Sequence, residues 1–356
     1  MTVIQIASIS FIGAGLVGGT ATIVGASIYD LKQSFKKKHM KKSTWRPLVS
    51  VIVPTQNSAD MLEDCLVSLT KSSVKKYEII IVGNSLSKVS QKQIQKYIKS
   101  HPKKSIRLVR ANKPGDVAAL KAGMRTAKGE LVVILEPRVK VGKDTLKRVV
   151  EHFSINEAAE GFRLSVHTNE GETLSSLLQQ YENSARSQAL KLADVTNRDT
   201  NATTNVAFRH KVLAKTLQKK QLPELSYASS AIAVAKPASS LANLFINRYW
   251  NEPGAIKIAT LLTPLVLGYF IFLAASHRST YLLVLSWLVA IGFLLMAVAS
   301  DESLTWKKKI KLAVLAPVAF VLFLMSALAS SMVAVRLIVS ALIKLSKIRV
   351  VITIKQ

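Results

Sequence analysis

The sequence predicts an α/β domain with a mostly parallel sheet, together with transmembrane α-helices. Between Trp45 and Trp250, short apolar runs alternate with stretches of helical spacing, a pattern typical of a parallel sheet flanked by helices. Long uncharged runs near both ends of the chain predict membrane spans. The composition agrees, because 49% of the residues are hydrophobic although the formal net charge is +28.

The composition also excludes several classes of protein. A nucleic-acid-binding protein would be equally basic but would not need the apolar runs, so we expect no nucleic-acid partner. The single cysteine, Cys65, excludes an internal disulfide and a zinc site built from cysteines. The six histidines lack the spacing of a histidine metal motif, so they predict no metal site.

The N-terminal segment predicts how the chain lies in a membrane. Residues 3–29 carry no charge, and at about 1.5 Å per residue a helix of this length crosses a hydrocarbon core of about 30 Å. The lysine-rich stretch that follows, at 32–42, places the next segment in the cytosol and the N-terminus outside. We therefore predict a multi-pass cell-membrane protein with membrane lipid as a partner and residues 31–250 in the cytosol.

Three further uncharged runs, at 258–275, 281–300 and 312–335, predict more spans near the C-terminus. The side of the membrane on which the last residues lie is left open. Three C-terminal spans would place them outside, whereas their lysines favour the cytosol. The predicted organisation is an N-terminal span at 1–30, a basic linker at 31–46, an α/β domain at 47–250, about three spans at 251–345 and a basic tail at 346–356.

The residues that follow the predicted strands are the first candidates for a ligand site, because ligands bind at the carboxyl ends of parallel strands. The strands are followed by Pro54-Thr55-Gln56-Asn57, Gly83-Asn84-Ser85, Asn112-Lys113-Pro114-Gly115 and Glu136-Pro137-Arg138. A predicted helix that contains Lys121 comes between the last two of these segments.

This ordered series resembles the family-2 glycosyltransferases of the GT-A fold, which is Rossmann-like. Such enzymes show V-S-V-I-I-P-x-Y-N-E, V-D-D-G-S, G-x-A-x-A-L-N-x-G and G-E-x-I-x-x-L-D-A-D, and the match covers 47 to about 153. The layout of spans around the domain is similar to that of polysaccharide synthases. The resemblance implies a nucleotide-sugar donor, a lipid or polysaccharide acceptor, and a role in cell-envelope or extracellular polysaccharide synthesis.

The residues at the motif positions differ from those of active members. The acids that contact the nucleotide fall on Gly83 and Asn84, and the usual Asn of the G-x-A helix falls on Lys121. The cation-binding D-x-D positions fall on Glu136 and Arg138. An arginine repels a cation but can contact phosphate directly, so we predict no cofactor, with Mg or Mn bound only if Glu136 suffices. The nucleotide or diphosphate candidates are Pro54, Asn57, Gly83, Asn84, Lys121 and Arg138.

The acids that supply the catalytic base in this family are not visible here. Residues 211–235 contain only Glu224, so Glu136 and Glu224 are the two candidates for a base. The Q-x-x-R-W acceptor motif of the family is reduced to Asn247-Arg248-Tyr249-Trp250. Arg248 and Trp250 are therefore the acceptor-side candidates.

Three functions stay open at this point. The first is a non-catalytic or atypical glycosyltransferase-like membrane protein that serves as partner or scaffold of an envelope-glycan synthase, since function must be argued from the site. The second is an active, metal-independent transferase of the hexosyltransferase type, in which Arg138 and Lys121 hold the diphosphate. The third is a scaffold that binds anionic lipid through the lysines at 36–42, each of which adds about 1 kcal/mol at an anionic surface.

Overall fold

The structure is a computed structural model of the chain. It describes residues 3–38, 45–55, 59–83, 86–111, 116–168, 173–196, 204–219, 225–235, 280–301, 304–319 and 321. The chain forms two units. The larger unit comprises Ala21–Asn169 and Arg186–Lys236, and the smaller unit comprises Met1–Thr20, Glu170–Ala185 and Pro237–Gln356.

The larger unit is built on a mixed sheet. Its strands are β1 (Val49–Thr55), β2 (Tyr77–Gly83), β3 (Ile106–Arg110), β4 (Leu131–Ile134), β5 (Val139–Val141), β6 (Gly161–Thr168), β7 (Val206–Arg209) and β8 (Ser226–Ala235). Within the described residues these eight strands have the order β3-β2-β1-β4-β7-β6-β8-β5. The helices of the described residues include α1 (Val3–Lys38), α2 (Ala59–Thr70), α3 (Lys88–Ser100), α4 (Asp116–Thr126), α5 (Thr145–Ile155), α6 (Leu174–Val195), α7 (His210–Lys219) and α8 (Thr280–Ala299), and residues 306–319 are helical as well.

One half of the sheet is parallel, as the alternation of strands and helices predicts. Strands β3, β2, β1 and β4 run in the same direction, and Val51 of β1 lies between Ile79 of β2 and Val133 of β4. These three side chains are fully buried. Near-continuous runs of Val, Ile and Leu are what a strand covered on both faces requires.

The other half of the sheet is mixed, which corrects the prediction of a mostly parallel sheet. Strand β7 is antiparallel to β4 and to β6, and β5 is antiparallel to β8, whereas β6 and β8 are parallel. A short apolar run does not encode the direction of its strand, so the pattern could not reveal these pairs. Because two antiparallel steps restore direction, β6 ends at the same edge of the sheet as β4.

Two apolar layers cover the faces of the sheet. Val49, Val51 and Val53 of β1 pack in one layer with side chains of α2 and α5, and Ile52 packs in the other layer with α4 and α7. Cys65 of α2 belongs to the first layer, and burial raises the pKa of its thiol to about 12. This cysteine is therefore a small core residue.

Close packing fixes α4 against the parallel strands. A Cβ atom at Gly123 would lie 2.8 Å from Cγ2 of Ile52, which is closer than two carbon atoms can approach without a shift. The glycine lets the helix lie directly on β1 and β2. This contact sets the position of the helix face that carries Lys121.

Helix α1 continues beyond residue 30, where the predicted span ends and the predicted linker begins. Its second half belongs to the larger unit, in which Tyr29 is 2% exposed. Asp30 accepts a 2.7 Å hydrogen bond from Nζ of Lys191 in α6, and Lys191 is itself buried. The start of the basic stretch is therefore part of a helix that packs on the α/β domain.

The smaller unit has its own apolar cluster, formed by Tyr181, Val298, Leu312, Ala316 and Ala319. The Tyr181 hydroxyl donates a hydrogen bond to the backbone carbonyl of Leu312. Within the same unit, the Ser184 hydroxyl donates to Oδ2 of Asp301 at 2.6 Å.

Among the residues that the structure describes, no helix combines the length and the apolar character that crossing a membrane requires. The span predicted at 258–275 and most of that predicted at 312–335 lie outside the described residues. The membrane topology therefore stays a prediction from the sequence.

Candidate functional site

The candidate site lies at the edge of the sheet where β1, β2, β3, β4 and β6 end. Thr55 at the end of β1 lies beside Gly83 at the end of β2, and Gly83 lies beside Arg110 at the end of β3. Pro54, one residue earlier in β1, lies beside Val82. The strand-end residues singled out from the sequence thus share one edge, as the parallel arrangement predicts.

Thr55 is a residue of this edge that sequence reasoning missed. It is fully buried, and its hydroxyl has no hydrogen-bond partner among the described residues. A buried hydroxyl without a partner costs about 1–3 kcal/mol. The neighbouring residues 56–58, which include the candidate Asn57, lie outside the described part of the chain.

Gly83 marks the position at which the resemblance implies an acid. A Cβ atom there would lie 2.5 Å from Cδ1 of Leu86, so the leucine side chain occupies the space that an acidic side chain would enter. The carbonyl of Gly83 already accepts a 3.0 Å hydrogen bond from the amide of Ala111. The strand end is therefore closed by apolar packing; the next candidate, Asn84, is outside the described residues.

Glu136 follows β4 and is held by side chains from three positions. Nε of Arg138 donates to its Oε2 at 2.7 Å, and the Thr204 hydroxyl donates to its Oε1 at 2.8 Å. Nδ2 of Asn205 also donates to Oε1, at 3.3 Å. Both carboxylate oxygens accept hydrogen bonds from the protein itself, which leaves Glu136 poorly placed to accept a proton from an acceptor hydroxyl.

The ion pair between Arg138 and Glu136 occupies the position at which the resemblance implies a divalent cation. A hard cation needs several oxygen ligands, whereas here a guanidinium lies against the one carboxylate. Within the described residues, no group of three or more His, Cys, Asp or Glu side chains could hold a metal ion. Within the part of the chain that the structure describes, the side chains at this position do not form a donor set that fits a divalent metal.

Asn205 positions Glu136 from the start of β7. Its φ of 56° lies in the left-handed region, which asparagine tolerates better than other residues with a side chain. Its Oδ1 accepts from the backbone amide of Glu136 at 3.2 Å, and its carbonyl accepts from the amide of Leu164 in β6 at 2.8 Å. One residue thus ties the ends of β4 and β6 together.

Arg163 of β6 is a second residue that the sequence analysis missed. Burial lowers the pKa of its guanidinium from the ordinary value, and the charge of Arg186 in α6 lowers it further. Tyr227 and the carboxylate of Glu136 act in the opposite direction. The electrostatic surroundings of Glu136 thus include a partly buried arginine that no motif position indicates.

Beside Arg163 a chain of hydroxyl groups crosses from α6 to the end of β6. The Tyr227 hydroxyl donates to Oγ of Ser165 at 2.8 Å and lies 3.0 Å from Oγ of Ser187. Oγ of Ser165 in turn lies 2.9 Å from Nε2 of His167. These bonds fix the ends of β6 and β8 relative to α6.

The remaining charged candidate, Lys121, is not grouped with Arg138 around one cavity. It lines a groove of about 340 Å³ together with Arg110 of β3 and Arg125 of α4. The predicted pair of diphosphate ligands is thus divided between two places, one beside Glu136 and one beside α4. The sequence could not reveal this division, because Lys121 and Arg138 were placed by motif position alone.

Several candidates cannot be located. Glu224, Arg248 and Trp250 lie outside the described residues. Glu224 lies between α7, which ends at Lys219, and β8, which begins at Ser226.

Arg209 has a structural role at the opposite edge of the sheet. Its guanidinium donates to the backbone carbonyls of Ala159, Phe153 and Glu157, near the C-terminus of α5. A cation at this end of a helix satisfies free carbonyls and interacts favourably with the helix dipole. Strand β7 therefore contributes a helix cap at its last residue.

The chain is similar in sequence to known glycosyltransferases. Residues 50–217 match the family model described as glycosyl transferase family 2. TuaG of Bacillus subtilis (strain 168), named as a teichuronic acid biosynthesis glycosyltransferase, is 29% identical over 150 residues, which cover 42% of this chain and 59% of TuaG. EpsJ of the same organism, named as a glycosyltransferase, is 27% identical over 111 residues, 31% of this chain and 32% of EpsJ. The matched segment thus spans less than two thirds of either relative.

Among solved structures, the mannosyltransferase PcManGT from Pyrobaculum calidifontis, in complex with GDP-Man and Mn²⁺, matches 90% of this chain and 99% of its own. The sequence identity is 16% and the TM-score is 0.43. The family match and the mixed sheet together identify a GT-A-like α/β fold.

Proposed function

We propose that this chain, which carries a family-2 glycosyltransferase-like domain, is a partner or scaffold protein of cell-envelope polysaccharide synthesis that does not itself transfer sugar. The family match and the relative named for teichuronic acid biosynthesis support the envelope role. The observation that carries the lack of transfer is the ion pair of Arg138 with Glu136 at the position of the implied cation.

Sugar transfer from a nucleotide diphosphate makes two demands on a site. The negative charge that develops on the leaving diphosphate must be stabilised, and a base must accept the proton of the acceptor hydroxyl. The fixed charge of Arg138 supplies part of the stabilisation of the diphosphate. No described residue of this edge is placed to act as the base, because Glu136 accepts hydrogen bonds from Arg138, Thr204 and Asn205. A positioned base is worth about 10²–10⁴-fold in rate.

The same arrangement supports a ligand rather than a reaction. A guanidinium binds phosphate oxygens in a planar, two-bonded geometry without a metal. Arg138 is 45% exposed, so it can reach a ligand while it keeps its bond to Glu136. The proposed ligand is the diphosphate of a nucleotide sugar, held without a divalent cation.

The membrane part of the proposal rests on the sequence. The uncharged runs and the lysines that flank them support a multi-pass protein of the cell membrane, with its N-terminus outside and residues 31–250 in the cytosol. An envelope-glycan synthase in the same membrane is the proposed partner.

A second candidate function is an active transferase that needs no metal. The partly buried Arg163 favours it, because this cation adds positive charge near Glu136. In this case Glu136 would have to leave its present partners to act as the base.

The test is a titration of the purified full chain with UDP, GDP and their nucleotide sugars, with Mn²⁺ or with EDTA, combined with an assay for released nucleoside diphosphate. We expect binding that Mn²⁺ does not change, and no release. R138Q should weaken binding, whereas R148Q, which removes an arginine from the exposed ion pair with Glu151, should not.

Each other outcome has a defined meaning. Release of diphosphate in EDTA would replace the proposal by the second candidate. Release that depends on Mn²⁺ would contradict both. Absence of nucleotide binding in either condition would show that the edge beside Glu136 holds no diphosphate.

A further inference from the structure

A basic groove lies between β3, at the edge of the sheet, and α4. It has a volume of about 340 Å³, and Arg110, Lys121 and Arg125 supply its charges. Val109, Ala118 and Ala122 form much of the remaining lining. The small side chains of the two alanines leave room between the helix and the strand, so the cations border a concave space.

The cations of the basic groove have no acidic partner among the described residues. None of the described residues that line the groove is a carboxylate, and none of the three cations forms an ion pair with one. Arg110 is instead oriented by a neutral group, since its Nη2 donates to Oε1 of Gln91 at 2.6 Å. A guanidinium held in this way keeps donors free for a ligand.

Other cations of the larger unit show the contrast. Arg107, Arg138 and Lys191 each lie against a carboxylate. A larger groove of about 780 Å³, at the amino ends of β1 and β2, includes Asp144 and Glu151 beside its lysines. Among the described residues, the basic groove differs from these places, because none of its cations lies against a carboxylate.

The arrangement of Lys121 and Arg125 has a cost for the free protein. They lie four residues apart on α4, where two like charges face each other and destabilise the helix. A bound anion would remove this repulsion and gain charge-assisted hydrogen bonds. A ligand of opposite charge would therefore bind more favourably here than at an isolated cation.

We infer that the basic groove is an anion site that binds phosphate groups, separate from the place beside Glu136. Phosphate oxygens match the two guanidinium groups and the ammonium that border the groove. The phosphate could belong to a nucleoside diphosphate or to a phosphodiester-linked polymer, which share this chemistry. The inference goes beyond the proposed function, because it holds whether or not Arg138 contacts a nucleotide.

The experiment measures the affinity of the full chain for two probes, UDP and a glycerol-phosphate oligomer, in EDTA and at low salt. The variant K121Q/R125Q should bind at least one probe about tenfold more weakly or worse, since two charged hydrogen-bond donors are lost. Binding to the wild type should weaken as salt is raised. The probe that loses affinity identifies the source of the phosphate.

Two control variants make the result specific. K92Q/K96Q removes two exposed cations with the same four-residue spacing from α3, and it should leave both affinities within about twofold. K121R/R125K keeps both charges and should retain binding. Both control variants change solvent-accessible positions, so their circular dichroism spectra should match that of the wild type. A spectrum that changes only in K121Q/R125Q would reveal that the test variant is misfolded.

The inference is overturned if neither probe binds the wild type, or if K121Q/R125Q binds both probes as the wild type does. An equal loss in K92Q/K96Q would also overturn it, because the effect would then reflect net charge. R138Q separates this test from the proposed function: a loss of UDP binding in R138Q alone would place the nucleotide beside Glu136 and leave only the oligomer to report on the groove.

Discussion

The hydroxyl of Tyr29 donates a 2.6 Å hydrogen bond to the backbone carbonyl of Tyr227, so that α1 is joined to the start of β8. The two aromatic rings lie 6.0 Å apart, and both residues are buried. Asp194 of α6 accepts a hydrogen bond from the amide of the same Tyr227. Residues far apart in sequence thus meet at one position near the start of β8.

The first prediction concerns this hydrogen bond. Tyr29→Phe keeps the ring but removes the donor, so the free energy of unfolding should fall by about 0.5–1.5 kcal/mol. Urea denaturation of the full chain, followed by tryptophan fluorescence, measures the change. Ser27→Ala is the control, because this hydroxyl is exposed and bonds only within its own helix, to the carbonyl of Ile23. Equal effects of the two substitutions would contradict the role of Tyr29.

The second prediction concerns Asn205 and its left-handed backbone. Asn205→Ala loses the hydrogen bonds to Glu136 and adds backbone strain of about 1–2 kcal/mol, whereas Asn205→Gly loses the same bonds without the strain. The alanine variant should therefore unfold at lower urea concentration than the glycine variant. A glycine variant that is less stable than the alanine variant would show that chain entropy, and not strain, dominates at this position.

The third prediction concerns the space at the end of β2. Gly83→Asp alone should destabilise the protein, because the new side chain meets Leu86. Adding Leu86→Ala should relieve the collision, and adding Arg138→Asp should then create a site in which nucleotide binding depends on Mn²⁺. Titration of the triple variant with UDP measures this.

The control for that series is L86A/R138D, which retains Gly83. It should gain less affinity for UDP with Mn²⁺ than the triple variant gains. If the triple variant binds no better than the control, the edge of the sheet is closed by more than the leucine side chain.

The fourth prediction concerns pH. Burial raises the pKa of the Cys65 thiol from the ordinary value of about 9 to about 12, so the folded state disfavours the thiolate. The unfolded chain therefore releases this proton at lower pH than the folded chain. The contribution of Cys65 is fully present below about pH 9 and is lost as pH rises toward 12. The change in the pKa of Cys65 between the unfolded and the folded chain corresponds to a loss of folding free energy of about 4 kcal/mol at most.

Cys65→Ala tests this prediction by comparison of slopes. The variant is less stable at neutral pH because it loses packing, but its stability should fall less steeply above pH 9 than that of the wild type. Urea denaturation at several pH values gives both slopes. Parallel curves would show that the thiol does not control alkaline stability.

The sequence predicts the parallel half of the fold well and the mixed half poorly. The strands β1, β2 and β4 are apolar runs between turn residues, and the ends of these strands fall where the motifs place them. In contrast, β7 and β6 come next to β4 through antiparallel pairing. That pairing depends on tertiary packing, which neither propensity nor periodicity encodes.

The residues of the candidate site divide in the same way between those that the sequence locates and those that it does not. Glu136, Arg138 and Gly83 can be located from the sequence because they follow parallel strands. Thr204, Asn205 and Arg163 cannot, because the mixed half of the sheet brings them to Glu136. The closing of the strand end by Leu86 is equally hidden, since it depends on the direction of one side chain.

The bond between Arg138 and Glu136 has a consequence for the cell in which this protein works. A cation that belongs to the chain cannot be removed by a chelator or by metal starvation. A phosphate ligand at this position would therefore be retained through changes in manganese supply that would release it from a metal-dependent relative. If the proposed function holds, the protein would keep its phosphate ligand under such conditions without any metal.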